Sequence, residues 1–434
     1  MIDRLSQIDP HPALYLLRNC FSLPRLLYLL RSSPSYNLQD QLTDFDNVMK
    51  EGSERICNVV FDNTGWKQAT LPISLGGIGL TAASDIAFSA YASSMHASQN
   101  LTTGILSHFP ESSVDQSLCQ MIQAWSGLGF LVVPEESRHL QKSWSDIYFK
   151  AKAEGLKDGL NQHRLACLST ASQPHSGDWL KAIPVASLGT ALDGESVRVG
   201  IAVRLGLRIC ERHTCRCGVL IDEFGLHPLS CRLSAGRIPR HSALNDVIKR
   251  TLDSAGLHSI LEPIGLDRGD GKRPDGVTVF PFSNGKPVAW DATCCDSFAA
   301  SSIVSSATSP GSVARAAEDR KAAKYANLCD RFIFRPVAVE TSRVIGPQSL
   351  LSQDRKAAKY ANLCDRFIFR PVAVETSGVI GPQSLLFLRQ LGLRLARKSG
   401  DLRESAWLFQ RISISIVRGN GYCIQGASTQ QRQD

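Results

Sequence analysis

The sequence predicts a mixed α+β and α/β protein with three parts: a helical N-terminal region, a small cysteine/histidine module, and a C-terminal unit of alternating helices and strands. Three observations lead there. The first hundred or so residues are dense in leucine and other good helix formers. Cys215, Cys217, His227 and Cys231 then fall within seventeen residues. From residue 241 onward, short β-prone runs are flanked by helical patterns in the order helix–strand–strand–strand–helix–strand.

Length and composition bound the answer. The 434 residues leave room for two or three domains, and an apolar fraction of 43% supports real cores. A net charge of +8, with a pI near 8.9, favours a polyanionic partner. Between Arg198 and Arg250 there are ten Lys/Arg against four Asp/Glu, a local excess of six. The positive charge is therefore concentrated beside the Cys/His module, where a phosphate backbone could be held. Thirteen cysteines in a chain this long do not make a disulfide scaffold. Met1-Ile2-Asp3-Arg4 does not open as a signal peptide does. The apolar stretch Ala13 to Leu30 is interrupted by Arg18, Pro24 and Arg25, so no membrane span is expected. The expectation is an intracellular protein, nuclear or cytoplasmic, that does not engage a membrane.

Residues 1–100 are expected to be helical, punctuated by Pro24 and Pro34. The cluster Gly76-Gly77-Ile78-Gly79 lacks the Lys-Ser/Thr of a phosphate-binding loop and reads as a tight turn between packed helices. Residues 101–205 read as a polar connector with some helix, for example Trp144 to Leu156, and with a short alternating apolar run from Val197 to Ile209. Residues 206–240 form the Cys/His module. Residues 241–434 begin with a helix from Ser242 to Ala255, which places Leu244, Val247, Ile248 and Leu252 on one face and stops at Gly256. Ile260-Leu261, Val277 to Phe280 and Pro287 to Trp290 read as strands; Asn284-Gly285 supplies the turn between the second and third. A helix from Ser312 to Leu328 and a strand from Phe332 to Val339 come next, with Pro336 marking that strand as an edge or a bulge.

This last unit contains a tandem duplication. Asp319–Leu351 and Asp354–Leu386 are 33-residue copies, offset by 35, that differ only at Arg343 versus Gly378. A single near-identical pair is not a solenoid; it reads as a recent duplication or an error of gene assembly. One copy must be redundant to the fold, and the sequence leaves open which.

Four candidate sites stand out. Cys215, Cys217, His227 and Cys231 offer a tetrahedral structural Zn²⁺ site, with Cys210 or His213 as substitutes for one ligand; unrelated core cysteines are the competing reading. His241 and Asn245 share a helix face and are candidates to reach a phosphate or a metal site; plain capping and exposure compete. Asp275 opens one strand and Asp291 closes the next, so an antiparallel hairpin would juxtapose two carboxylates that repel unless a cation lies between them. Turn aspartates are the alternative, and Glu262 is a further candidate ligand. Lys321 and Lys324, one turn apart with Tyr325 beside them, could steady charge on a phosphate; a solvated helix face is the alternative. Lys356, Lys359 and Tyr360 repeat that set.

The order of Cys/His cluster, Arg-His-x-x-Leu-Asn, Arg-Pro-Asp, Asp-x-Thr and Lys-x-x-Lys-Tyr resembles the restriction-like endonuclease end of site-specific non-LTR retrotransposon proteins, itself similar to the Pro-Asp…Asp/Glu-x-Lys nucleases. The resemblance covers roughly residues 205 to 425. It implies a restriction-endonuclease-like αβββαβ core in which Asp275 and Asp291 bind catalytic Mg²⁺ and Lys321 or Lys324 takes the lysine role. It also implies a zinc knuckle that helps hold DNA, with Arg237, Arg240, His241, Asn245 and Arg273 as DNA-binding candidates, and retroelement RNA as a further partner. The implied product is a nick, which in the intact element primes reverse transcription. Trp66-x-Gln68-Ala69-x-Leu71-Pro72 with the glycines after it is similar to the thumb and connector beyond the polymerase palm. The chain has no Asp-Asp pair, so the polymerase motif is missing, and the expectation is a truncated retroelement protein that retains the nicking domain. The competing expectations are a non-catalytic nucleic-acid-binding remnant and an inactive pseudogene product.

Overall fold

The computed structural model describes residues 1–105, 112–130, 133–266, 273–326 and 367–427, and among them the protein is a mostly helical mixed α/β chain with two small sheets. The N-terminal half is built from α1 (Pro10–Leu16), α2 (Leu23–Ser32), α3 (Gln39–Cys57), α4 (Asn63–Ala69) and the long α5 (Ala83–Ile105). The stretch read as a polar connector is largely helical: α6 (Ser112–Gly127), α7 (Gln141–Lys157) and α8 (Gln162–Ala171). Its sequence looked weakly periodic because a few large rings bury it. Trp125 and Trp144 are fully buried against Phe88 of α5, with Trp125 stacked on Phe88 at 4.9 Å. The run from Val197 is not an extended segment but α9 (Gly194–Leu205). Asp193 caps it by accepting the Ser196 amide, and Gly206 ends it at φ +65°. Its apolar residues do not alternate with solvent because α9 is buried on nearly all sides.

The glycine cluster is a turn held by a buried arginine. Gly76 and Gly79 adopt φ +91° and +76°, and a Cβ on Gly77 would sit 1.9 Å from the Leu71 carbonyl oxygen. Arg204 of α9 donates to the carbonyls of Gly77 (2.9 Å), Ile73 (2.8 Å) and Ala171 (2.9 Å). Gln68 donates to the Gly76 and Arg204 carbonyls at 3.1 Å each. Backbone acceptors that tight turning leaves without a ladder are thereby satisfied.

A two-stranded hairpin, β1 (His213–Thr214) and β2 (Leu220–Ile221), carries the Cys/His module. Then come α10 (Arg237–Ser254), β3 (Ser259–Leu261), β4 (Gly276–Thr278), β5 (Val288–Cys295), α11 (Ile303–Thr308), α12 (Ser312–Ala326), β6 (Ile368–Glu375), α13 (Pro382–Ser399) and α14 (Glu404–Ala427). The sheet order is β3-β4-β5-β6. β3–β4 and β4–β5 are antiparallel, while β5 and β6 are parallel, as a crossover through α11 and α12 requires. Asn284 and Gly285 form the turn before β5 with φ +51° and +74°.

Two expectations shift in detail. β5 does not stop at Asp291 but runs on to Cys295, because its second half pairs with β6 residue by residue. The strand expected at Phe332 to Val339 lies outside the described residues; among those described, β6 (Ile368–Glu375), which overlaps its second-copy counterpart, pairs with β5. Pro371 of that strand, the equivalent of Pro336, stands on a strand that pairs with β5 alone among the described strands.

α14 joins the two halves. Its Leu408, Phe409, Ile412 and Ile416 pack into the core under the sheet with Leu244, Ile248, Trp290 and Phe387. Its Ile414, Val417, Cys423 and Ile424 pack into the other core with Val197, Ile201 and Trp179. A helix apolar on both faces has to be buried on both. No helix among the described residues is long and apolar enough to cross a membrane.

His11, 2% exposed, accepts the Leu192 amide at Nδ1 over 3.0 Å. An amide can only donate, so Nδ1 carries no proton, and burial pulls the group's pKa down from 6.5 to about 4. The unfolded chain takes up this proton near pH 6.5 and the folded chain resists until about 4. Stability present above the first value is lost as pH falls toward the second, by up to about 3 kcal/mol. His11→Asn keeps an acceptor that does not titrate. Thermal unfolding at pH 7 and pH 4.5 is expected to show a smaller acid-induced drop in Tm for this variant than for the parent chain.

Candidate metal and acid–lysine sites

The first site is a soft-ligand cluster. Tight turning after Cys215 (Gly218 N–H to Cys215 carbonyl, 2.8 Å; Cys215 N–H to Val219 carbonyl, 2.9 Å) folds Cys217 back over Cys215. Gly218 supplies the φ of +87° that the turn needs. The short helical turn His227–Leu229 then brings His227 and Cys231 against them. Cys215 and Cys231 sulfurs are 3.8 Å apart, and Cys217 Sγ is 3.1 Å from His227 Nε2. One ligand atom from each of the four residues lies within 4.8 Å of the others. This donor set could hold a metal such as zinc. The Val219 amide and the neighbouring side chains pull the Cys217 thiol down to about 7, toward the thiolate that a metal requires. Cys210 and His213 are not among these four: Cys210 packs against the small core holding Cys215 and Cys231 and donates to the Asp222 carbonyl, and His213 Nδ1 lies against the Glu211 carbonyl at 2.8 Å. The one-residue spacing of the first pair is accommodated because the hairpin turn, not the spacer, sets the distance.

The second site sits where β4, β5, α10 and α12 meet. The register pairs Gly276 with Trp290 and Val277 with Ala289, which puts Asp275 across from Asp291. Gly276 must be glycine: a Cβ there would meet the Trp290 indole at 2.2 Å. Trp290 is in turn held by its Nε1–H donating to Asn245 at 3.0 Å. Asp291 is 3% exposed. Lys321 and Lys324, one turn apart on α12, both reach it, at 2.6 Å to Oδ1 and 3.3 Å to Oδ2. Asp275 accepts the Ala292 amide at 2.7 Å and faces His241 Nε2 at 3.1 Å. Burial pushes the Asp275 carboxyl up, but hydrogen bonds from His241, Asn245 and Ala292, with the histidine's charge, bring it below the ordinary carboxylate range. The same hydrogen bond to Asp275 raises His241.

Tyr325 ties the site together. Its hydroxyl accepts from Lys324 (2.8 Å) and donates to the Arg273 carbonyl (2.9 Å), joining α12 to the segment before Asp275. The signal for this role was the adjacency of tyrosine to the lysine pair; its reach to Arg273 is a tertiary fact.

Not every candidate stands where sequence put it. Arg240 is not a surface DNA contact: it is 2% exposed and clamps Asn420 (2.9 Å) and the Leu229 carbonyl (2.7 Å). Asn245 is 6% exposed, accepts from Trp290 and hydrogen-bonds Asp275, so it reaches the acid site from inside rather than being offered to a phosphate. Both look like surface residues in sequence because α10 is covered by α14 on a face with few hydrophobic residues. His241 is half-buried and serves Asp275. Arg273 pairs with Glu262 at 2.7 Å. Arg237 is exposed. Since Arg204 and Arg240 are both buried, the local excess of positive charge counted along the sequence overstates the basic surface. Lys356, Lys359 and Tyr360 lie outside the described residues.

No protein-family model matches this chain, and no curated protein matches it.

Purified from zinc-containing medium, the chain is expected to carry about one zinc per molecule by mass-spectrometric metal analysis. Cys231→Ser should lower that to less than half. Chelation should depress Tm by several degrees, with recovery on adding zinc back. Unchanged zinc content in the variant would remove these four residues as the ligand set.

Proposed function

We propose that the acid–lysine site is a metal-dependent, DNA-nicking endonuclease centre in a protein derived from a non-LTR retrotransposon. The observation that carries this reading is the convergence of Lys321 and Lys324, from the crossover helix, on an aspartate whose neighbouring strand begins just after a second aspartate. Three antiparallel strands followed by a helix and a parallel strand, behind α10, fit the αβββαβ plan of restriction-like nucleases. Asp275 and Asp291 would hold Mg²⁺, which supplies an activated water and offsets phosphate charge. His241 keeps Asp275 ionised. Lys321 and Lys324 place two ammonium groups where negative charge grows on a phosphoryl centre. Arg237 and the Cys/His module would hold the DNA backbone, with retroelement RNA as a second polyanion, and action on DNA would place the protein in the nucleus.

A second reading has its own support. Both acids already have cationic partners: Lys321 and Lys324 for Asp291, His241 for Asp275. A site neutralised this way has less need of a metal, and the chain would then be a nucleic-acid-binding remnant without catalysis.

A supercoiled-plasmid nicking assay with Mg²⁺ separates the two. Asp275→Asn and Lys321→Ala are expected to lose nicking by about 100-fold or more while retaining gel-shift binding. Binding should weaken steeply with salt, and the slope should shrink for Arg237→Ala. Binding without any nicking by the parent chain would sink the enzyme reading and leave the remnant.

A further inference from the structure

The duplication offers two candidates for each half of the repeated unit, and the fold takes one half from each copy. The second half of α12, Asp319 to Ala326, is the head of the first copy; β6 and the start of α13 are the tail of the second. We propose that residues at the two outer borders impose this division, that the turn after β6 favours the copy with glycine over the copy with arginine, and that one 35-residue unit is dispensable to the fold.

The head is set by what precedes it. Glu318, fully buried, accepts the Ser384 amide (2.8 Å), the Gln383 amide (3.2 Å) and the Ser384 hydroxyl, and so caps α13. Ala314 and Ala317 pack beside it at 0% and 4% exposure. Before the second copy the same offsets carry Gln353, Ser349 and Ser352. Two hydroxyls would replace two buried methyls, and an amide would replace the capping carboxylate.

The tail is set at the turn that closes β6. Gly378 N–H donates to the Glu375 carbonyl at 2.9 Å, and the Glu375 N–H donates to Val379 at 2.8 Å. Gly378 has φ +87°, and a Cβ there would lie 2.9 Å from the Ser176 carbonyl oxygen and 3.2 Å from its Cα. The obstacle is backbone, which cannot swing aside. Arg343 holds this place in the first copy, and in this turn it would meet both the left-handed strain and the clash. It is the one residue by which the copies differ. Beyond the turn, Phe387, Leu388 and Leu391 are buried and come only after the second copy; the first is succeeded by Ser352-Gln353-Asp354.

Two shortened chains isolate Gly378. Deleting 327–361 leaves one unit with glycine at the turn; deleting 352–386 leaves the same sequence with arginine there. The two products differ at that single residue. Thermal unfolding by circular dichroism is expected to give the glycine form a cooperative transition within about 2 °C of the full chain, and the arginine form a Tm lower by roughly 5 °C or more. Equal Tm values for the two would overturn the role of Gly378. Absence of a cooperative transition in the glycine form would overturn dispensability. Neither result depends on whether the chain cuts DNA.

Discussion

The Asp291 carboxylate is the constraint around which the C-terminal half is arranged. It sits in the middle of β5, with a strand on either side and 3% of its surface exposed. A charge in that position costs several kcal/mol unless cations and donors reach it. Among the described residues α12 supplies the cations, through Lys321 and Lys324, so the helix has to dock with that face toward the strand. Docking in turn brings Tyr325 onto the Arg273 carbonyl and Glu318 onto the first turn of α13. A buried negative charge thus fixes the placement of a crossover helix, and that helix fixes where α13 begins.

The same logic recurs in the N-terminal half with the sign reversed. Arg204 is buried, and its hydrogen bonds go to three carbonyls and the Ser176 hydroxyl. Burial draws its pKa down to about 9. The glycine-rich turn leaves carbonyls pointing inward, and a guanidinium with five donors is the side chain that can satisfy several at once. Arg240 does similar work between α10, α14 and the Cys/His module. Both arginines link parts of the chain far apart in sequence, and Arg240 is lost as a candidate phosphate contact for that reason.

α14 makes the two halves mechanically continuous. Its opposite faces complete the two largest cores, and the Cys/His module leans on its last turns through Ser234 and the Cys423 carbonyl. A metal ion in that module would therefore brace the end of the helix that also underlies the sheet. This gives a structural zinc a route to influence the acid–lysine site without touching it.

Much of the candidate site was legible in the sequence because its determinants are local. Asn284-Gly285 between two β-prone runs dictates a hairpin, and the hairpin register brings Asp275 and Asp291 to the same end of the strand pair. Two cysteines, a histidine and a third cysteine within seventeen residues suffice to suggest a soft metal site. Lysines three apart on a helix must share a face. The features hidden from the sequence are long-range. The lengthening of β5 past Asp291 needs β6 beside it. Arg240 and Asn245 have polar side chains, and only the approach of α14 and Trp290 makes them interior. The packing of α6 and α7 depends on Trp125 and Trp144 finding Phe88 across the chain. Above all, two copies that agree at every position but one carry the same local propensities. The one position at which they differ meets the backbone of Ser176, far away in sequence, which leaves no room for a side chain at position 378.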